Sequence, residues 1–394
     1  MICPEQIKAA SLFRRLGSFS LSIICAAIFS RATTAAEQKP QPQPIAAPSC
    51  NWPMYRANNP HTAALNFNPP YTPVGKRRWI FPAEGGIDSS PAIYNGVIYV
   101  GCDDGFVYAV DQRNGSMIWR SSIGAKVKSS PAVDHGIVVV GAEDNNFYAL
   151  DAGAGKQLWK FACGDRVSSS PTTNEDVVYF GSWDKNIYAV DIHSGQMKWK
   201  FATEGRVITS PAYDKGMVFA GSHDGCMYAI NKDDGSLKWK YKTGNIIMAS
   251  PMVMGGLVYF GSWDHTFYAV DENTGKTVWT YKGTENYSIA AAGAEGKVFA
   301  GNDDLKMYCL NATTGKLLWK TPINSMNPLL SSPPIIGGGL LFMGSTDGNL
   351  YMLDTRNGAI KWKYKTQRPI VSSPAIGDKG VCVGSQDGNL YFIE

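Results

Sequence analysis

The stretch Ala269-Val270-Asp271-Glu272-Asn273-Thr274-Gly275-Lys276-Thr277-Val278-Trp279 decides the fold, because the chain keeps rewriting it. Further copies end at Trp119, Trp159, Trp199, Trp239, Trp319 and Trp362, and Trp79 precedes them at the same step. From Trp79 to Trp319 each step is 40 residues, and the last is 43. Tyr108, Tyr148, Tyr188, Tyr228, Tyr268, Tyr308, Tyr351 and Tyr391 keep this period. So do Gly101, Gly141, Gly181, Gly221, Gly261, Gly301, Gly344 and Gly384. A fixed period of this length marks a repeat architecture.

Outward from the tryptophan, each unit reads as four short strands. Ser89-Ser90-Pro91-Ala92-Ile93, Val97-Ile98-Tyr99-Val100, Phe106-Val107-Tyr108-Ala109-Val110 and Met117-Ile118-Trp119 are separated by Asn95-Gly96, Asp103-Asp104-Gly105 and Asn114-Gly115. Those separators carry turn chemistry. One such sheet cannot bury both faces, but eight set radially can. The expectation is all-β: an eight-bladed β-propeller of four-stranded antiparallel blades. Trp79 lies on a fourth strand with no first three before it, and the last unit stops at Glu394 without a fourth strand. The N-terminal strand is therefore expected to complete the last blade and close the ring.

Composition agrees. Gly 41 and Pro 22 supply many turns, without the three-residue glycine period of collagen and with too much apolar content for disorder. The net charge of +4 falls mostly in the first 36 residues, where Lys8, Arg14, Arg15 and Arg31 oppose Glu5. The remainder is close to neutral, which gives no global electrostatic case for nucleic acid or anionic membrane. Arg14-Arg15, the apolar-leaning run Leu16 to Phe29 and the exit at Ala35-Ala36 read as a signal peptide over 1–36, too short to span a bilayer. Ile24 before Cys25 is bulkier than a lipidation signal has, so no lipid anchor is expected. A Pro/Gln-rich linker over 37–50, an entry segment over 51–73 that packs on the ring, and the propeller over 74–394 complete the organisation. The expected location is periplasmic or extracellular. Export permits disulfides, but Cys50, Cys102, Cys163, Cys226, Cys309 and Cys382 occupy different phases of the repeat, and their pairing stays open.

The tryptophan-ended motif resembles that of the pyrroloquinoline-quinone (PQQ) repeat family: Ala, any, Asp, two any, Thr, Gly, three any, Trp. Asn231 and Asn311 replace its Asp, and Cys309 and Met352 its Ala. The resemblance covers 79–394 and implies a propeller whose Trp79, Trp119, Trp159, Trp199, Trp239, Trp279, Trp319 and Trp362 dock neighbouring blades. The recurring Asp104, Asp144, Asp184, Asp224, Asp264, Asp304, Asp347 and Asp387 read as turn residues rather than catalytic ones.

The family contains both quinoprotein dehydrogenases and non-enzymatic envelope scaffolds. The former resemble one another in adjacent cysteines, a Ca²⁺ held by Glu, Asn and Asp, and a catalytic Asp. Here no cysteines are adjacent, and no insertion exceeds two residues. His61, His135, His193, His223 and His265 show no metal-ligand spacing. No catalytic residue, metal site or cofactor is therefore expected. The main expectation is a monomeric binding scaffold for a cell-envelope or secreted protein partner, an anionic ligand or a glycan. PQQ with calcium is the alternative, as is a ligand sensor.

Function in a repeat protein sits where repeats differ. Lys126, Arg166 and Arg206 hold one equivalent position on the loops entering units 2, 3 and 4, and Lys128 lies beside them. The same position elsewhere is Gly86, Ile246, Asn286, Pro328 and Pro369. The loops between second and third strands add Trp183, His223, Trp263 and His265 on the same face. This cationic arc with its aromatic residues is the candidate rim. Unit 6 departs as well, with Ala290-Ala291 for Ser-Pro and Asn286-Tyr287 expected on that rim.

Overall fold

The computed structural model describes residues 51–65, 73–323 and 332–394. The signal peptide, the linker, Cys50 and Pro328 lie outside the described residues. Eight antiparallel sheets follow one another along the chain. Blade 1 comprises Ala92–Tyr94, Val97–Gly101, Phe106–Asp111 and Met117–Ser122, and blades 2 to 7 repeat this order. In blade 8 the strands Ala375–Gly377, Gly380–Gly384 and Asn389–Ile393 are completed by Arg77–Pro82 from the start of the ring. Trp79 faces Phe392 across that closing pair. The ring is an eight-bladed β-propeller, closed by its N-terminal strand.

Two contacts explain the tryptophan and tyrosine periods. Each docking Trp donates its Nε1–H across the blade boundary to a carbonyl in the next blade's last turn, as Trp239 does to Glu272 at 2.8 Å. The same bond recurs around the ring, from Trp79 to Gln112, Trp119 to Ala152, Trp159 to Ile192, Trp199 to Lys232, Trp279 to Ala312 and Trp319 to Thr355. Trp362, in blade 7, donates to Pro73, which leads into the strand Arg77–Pro82 that completes blade 8. The motif glycine lies under this ring. Gly275 has φ of +68°, and a Cβ there would come within 2.7 Å of Trp239. The glycine thus serves both the turn and the dock.

The second contact joins Asp and Tyr. Asp264 accepts from the Thr266 N–H at 2.9 Å and from the Tyr268 hydroxyl at 2.6 Å. All eight repeat aspartates accept from the tyrosine four residues on. Several also reach the incoming loop, as Asp184 does to the Gly164 N–H. Their role is turn and loop structure, repeated with the blade.

The entry segment departs from the repeat. Its carbonyls accept from the innermost strands of six blades, at Ile93, Val133, Tyr213, Val253, Gly293 and Ile336. Ala64–Leu65 adds a parallel strand to blade 7. A segment that reaches six blades in turn must run across their inner ends, so it plugs the axis from the face of the first-to-second strand turns. The backbone is left-handed at Arg56, Ala57, His61 and Ala63. Such strain persists only where surrounding bonds over-determine it.

Candidate functional site

The rim lies on the opposite face, built by one recurring backbone bond. The second residue of each second-to-third strand loop donates its N–H to the incoming loop: Glu143 to Lys126, Trp183 to Arg166, His223 to Arg206 and Trp263 to Ile246. That bond sets Trp183 beside Arg166, and the blade step brings Arg206 to it from the other loop. The two guanidinium carbons stand 4.7 Å and 4.6 Å from the Trp183 ring centroid. Trp183 donates its Nε1–H to Ser168 at 2.7 Å, which fixes the ring. Cation–π contact of this kind is worth about 0.5–1 kcal/mol at exposed sites and holds both arginines at the surface.

The rest of the arc is neutralised within the fold. Lys126 pairs with Asp103 at 2.9 Å, which raises the lysine pKa, and Lys128 lies 3.5 Å from Asp88. Of the four expected cations, the two lysines pair with acidic residues of the preceding blade, and the two arginines around Trp183 remain. Arg166 has Glu143 and Asp165 at 3.9 Å, while Arg206 forms no ion pair with any described residue. Burial, and then the Arg206 charge, push the His223 pKa below its ordinary value, which favours the neutral ring. His223 Nε2, Trp263 Nε1 and His265 Nδ1 are buried atoms without a hydrogen-bond partner. Unpaired polar atoms in a folded protein call for an explanation, and a bound group is one.

Tyr287 is not on the rim. It is fully buried between Phe267 and Tyr308, beneath the loop it was expected to display. Ala290 also has a structural consequence. In blades 8, 1, 2, 3 and 4 a serine N–H donates to the serine hydroxyl of the following blade, from Ser373 to Ser90 and on to Ser250. Ala290 ends that belt at blade 6.

Sequence reasoning missed two groups. The first is the core of the plug. Arg56 is fully buried, its three guanidinium nitrogens have no hydrogen-bond partner, and burial lowers its pKa to about 10. His61 beside it is lowered to about 3 by burial and by Arg56. The Thr172 hydroxyl donates to the Pro211 carbonyl at 2.6 Å, so it accepts from His61 Nε2–H at 2.9 Å. Burial and the Arg56 charge together favour the neutral ring at His61.

The second group is exposed. His135, Asp176 and His193 converge on the plug face of blades 2 and 3, with ligand atoms within 4.8 Å of one another. This corrects the inference that the histidines show no ligand arrangement, because turns remote in sequence meet in space. Repeat phase could have found it, since all three lie in adjoining turns. The five described cysteines are free, and none neighbours another in sequence.

Fold and docking motif together define a tryptophan-docked propeller of the PQQ-repeat class. The sequence matches the family model described as outer membrane protein assembly factor BamB over 103–210, 200–328 and 286–394, and the chain belongs to that family. No curated protein matches it. Among solved structures it is similar to BamB from Moraxella catarrhalis, at 20% identity and a TM-score of 0.71 over 82% of this chain and 98% of that one. It is also similar to a europium-containing methanol dehydrogenase, at 16% identity and 0.75 over 86% and 91%. A third is the quinohemoprotein alcohol dehydrogenase from Comamonas testosteroni, at 15% and 0.73 over 89% and 81%. At these identities the likeness is one of fold, shared by scaffold and enzyme alike. Among the described residues no helix is long and apolar enough to cross a membrane.

Proposed function

We propose that the chain is an exported, non-enzymatic binding propeller of the cell envelope, whose contact surface is the rim of blades 3 to 5. The observation that carries this is Trp183 between Arg166 and Arg206, with unpaired polar atoms of His223, Trp263 and His265 on the same rim. Pre-positioned guanidiniums accept carboxylate or another anion through charge-assisted bonds. Tryptophan and arginine are the side chains that most often dominate contact energy. An acidic protein segment or anionic glycan fits this chemistry, and the family description supports an assembly role in the envelope.

A second reading, a PQQ-dependent oxidoreductase, is favoured by the fold shared with the quinoproteins. Among the described residues, the one cluster of three His, Cys, Asp or Glu donors has two imidazoles and a carboxylate at the surface. That set suits a transition metal, whereas calcium takes oxygen ligands. It does not fit a calcium-held quinone.

The test is the triple change of Lys126, Arg166 and Arg206 to Ser, with Trp183→Ala in parallel. Binding to envelope extracts and anionic glycans is measured at two salt concentrations. The binding reading expects retention to fall in both variants and the salt dependence to flatten in the triple one. Unchanged retention would move the contact surface elsewhere. Saturable PQQ binding with Ca²⁺, followed by alcohol oxidation with an artificial acceptor, would replace the scaffold reading by the enzyme.

A further inference from the structure

We infer that the plug face carries a divalent transition-metal site made by His135 Nε2, Asp176 Oδ1 and His193 Nε2. The three side chains come from three turns. His135 lies in the first-to-second strand turn of blade 2, Asp176 in that of blade 3, and His193 in the last turn of blade 3. The Ile192 N–H donates to the Asp176 carbonyl at 2.9 Å, which ties the two blade-3 turns together.

Distances between donors suit one small ion. His193 Nε2 lies 3.1 Å and His135 Nε2 4.0 Å from Asp176 Oδ1. Metal–ligand bonds of about 2.0–2.2 Å in a tetrahedron place donors roughly 3.3–3.6 Å apart. The observed separations straddle that value. All three side chains are about half exposed, so closing the difference displaces no packed neighbour. The histidine rings stand 5.5 Å apart and 67° from parallel, edge toward face, so both can turn a nitrogen toward one point.

The outer side of His135 is also prepared. Its Nδ1 lies 3.2 Å from Asp134 Oδ1. A carboxylate on the far nitrogen fixes the tautomer and orients the ring for ligation through Nε2. His193 is held by its main chain, whose N–H donates to Asp191 at 3.2 Å.

Folding does not explain these residues. An exposed His–Asp pair contributes little to stability. The turn position of Asp176 is glycine in six other blades: Gly96, Gly136, Gly216, Gly256, Gly296 and Gly339. His135 takes the left-handed turn position that Asn95, Glu175, Lys215 and Glu295 fill in other blades. This histidine and a displaced glycine meet at one spot, together with the one histidine found in the last turns of the blades.

Two imidazoles and one carboxylate favour Zn²⁺, Cu²⁺ or Ni²⁺ over Ca²⁺ or Mg²⁺. Three protein donors leave the remaining position to water or to a donor from outside. The site is remote in the fold from the rim and stands or falls independently of the function proposed there.

The experiment titrates the full chain with Zn²⁺ by calorimetry, and with Co²⁺ by visible absorption. The expected result is one saturable equivalent and the absorption of a four-coordinate cobalt ion. His135→Asn and Asp176→Gly write the other blades' own turn residues into the site, so both variants should keep the thermal midpoint of the parent. Each should weaken Zn²⁺ binding at least about 10-fold. His223→Ala, on the rim, should leave it unchanged. The inference is overturned if the parent shows no saturable uptake of either ion. It is equally overturned if both turn variants bind as the parent does, since the metal then sits elsewhere.

Discussion

Alanine at Gly275, compared with alanine at Gly136, separates the two roles of the motif glycine. Both glycines are left-handed, with φ of +68° and +73°. At Gly136 a Cβ meets nothing within 4 Å, whereas at Gly275 it comes within 2.7 Å of Trp239 Cδ2 and 2.9 Å of Cε3. The conformational part is therefore shared. A left-handed alanine costs roughly 1–2 kcal/mol, offset by about 0.4–1 kcal/mol from a stiffer unfolded chain. Gly136→Ala should cost about 1 kcal/mol. At Gly275 the indole must retreat by roughly 0.8 Å to regain ordinary carbon contact. Trp239 is only 8% exposed, and its Nε1–H holds the Glu272 carbonyl at 2.8 Å. Weakening that bond leaves a buried carbonyl short of its donor, at about 1–3 kcal/mol. Gly275→Ala should thus cost roughly 2–4 kcal/mol. Urea unfolding followed by tryptophan fluorescence, with equal slopes in both variants, gives the two values. Costs agreeing within about 0.5 kcal/mol would refute the dock and leave the glycine as a turn residue only.

Deleting residues 74–82 removes the strand that pairs with Asn389–Ile393 and the Trp79 bond to Gln112. Cooperative melting should be lost, and a truncated chain with the parent's midpoint would show that the ring does not depend on this closure. His61 stays neutral in the fold down to about pH 3, while the unfolded chain takes up its proton near pH 6.5. Stability is therefore full above pH 6.5 and falls as pH drops, by about 1.4 kcal/mol per unit at the limit. His61→Gln should flatten urea midpoints measured between pH 7.5 and 5, and an unchanged slope would place that pH dependence on other groups.

The propeller was legible because its determinants repeat. Trp, Gly, Asp and Tyr at fixed phase recur often enough that no single departure, such as Asn231 or Met352, obscures the period. What each residue does was only partly legible. Gly275 reads as a turn former, and only the folded ring shows that Trp239 of the preceding blade occupies the space of its side chain. The rim arc was placed by phase, but its neutralisation was not. Asp103 lies 23 residues before Lys126, a separation that means nothing until the incoming loop is laid against the preceding one. The plug was least legible. Residues 52–63 share no phase with the repeat, so nothing in their spacing tells which blades they meet.

That difference also orders the two faces of the ring. On the plug face, main-chain bonds to six innermost strands hold a segment with four left-handed residues and a buried guanidinium beside the Tyr55 phenol. Burying a charge costs free energy, and the bonds that pin the segment must offset it. Such a segment closes the axis from that side, because access there would require breaking several of those bonds together. On the rim face nothing comparable crosses the axis among the described residues. Its arginines are set out by the blade step and steadied by Trp183, and Arg206 has no ion pair with any described residue to break. An anionic partner therefore meets little internal competition at the rim and a sealed surface on the other side. Under the proposed binding function, this asymmetry favours blades 3 to 5 as the contact surface. It also leaves the exposed His135–Asp176–His193 cluster on the plug face, away from the rim.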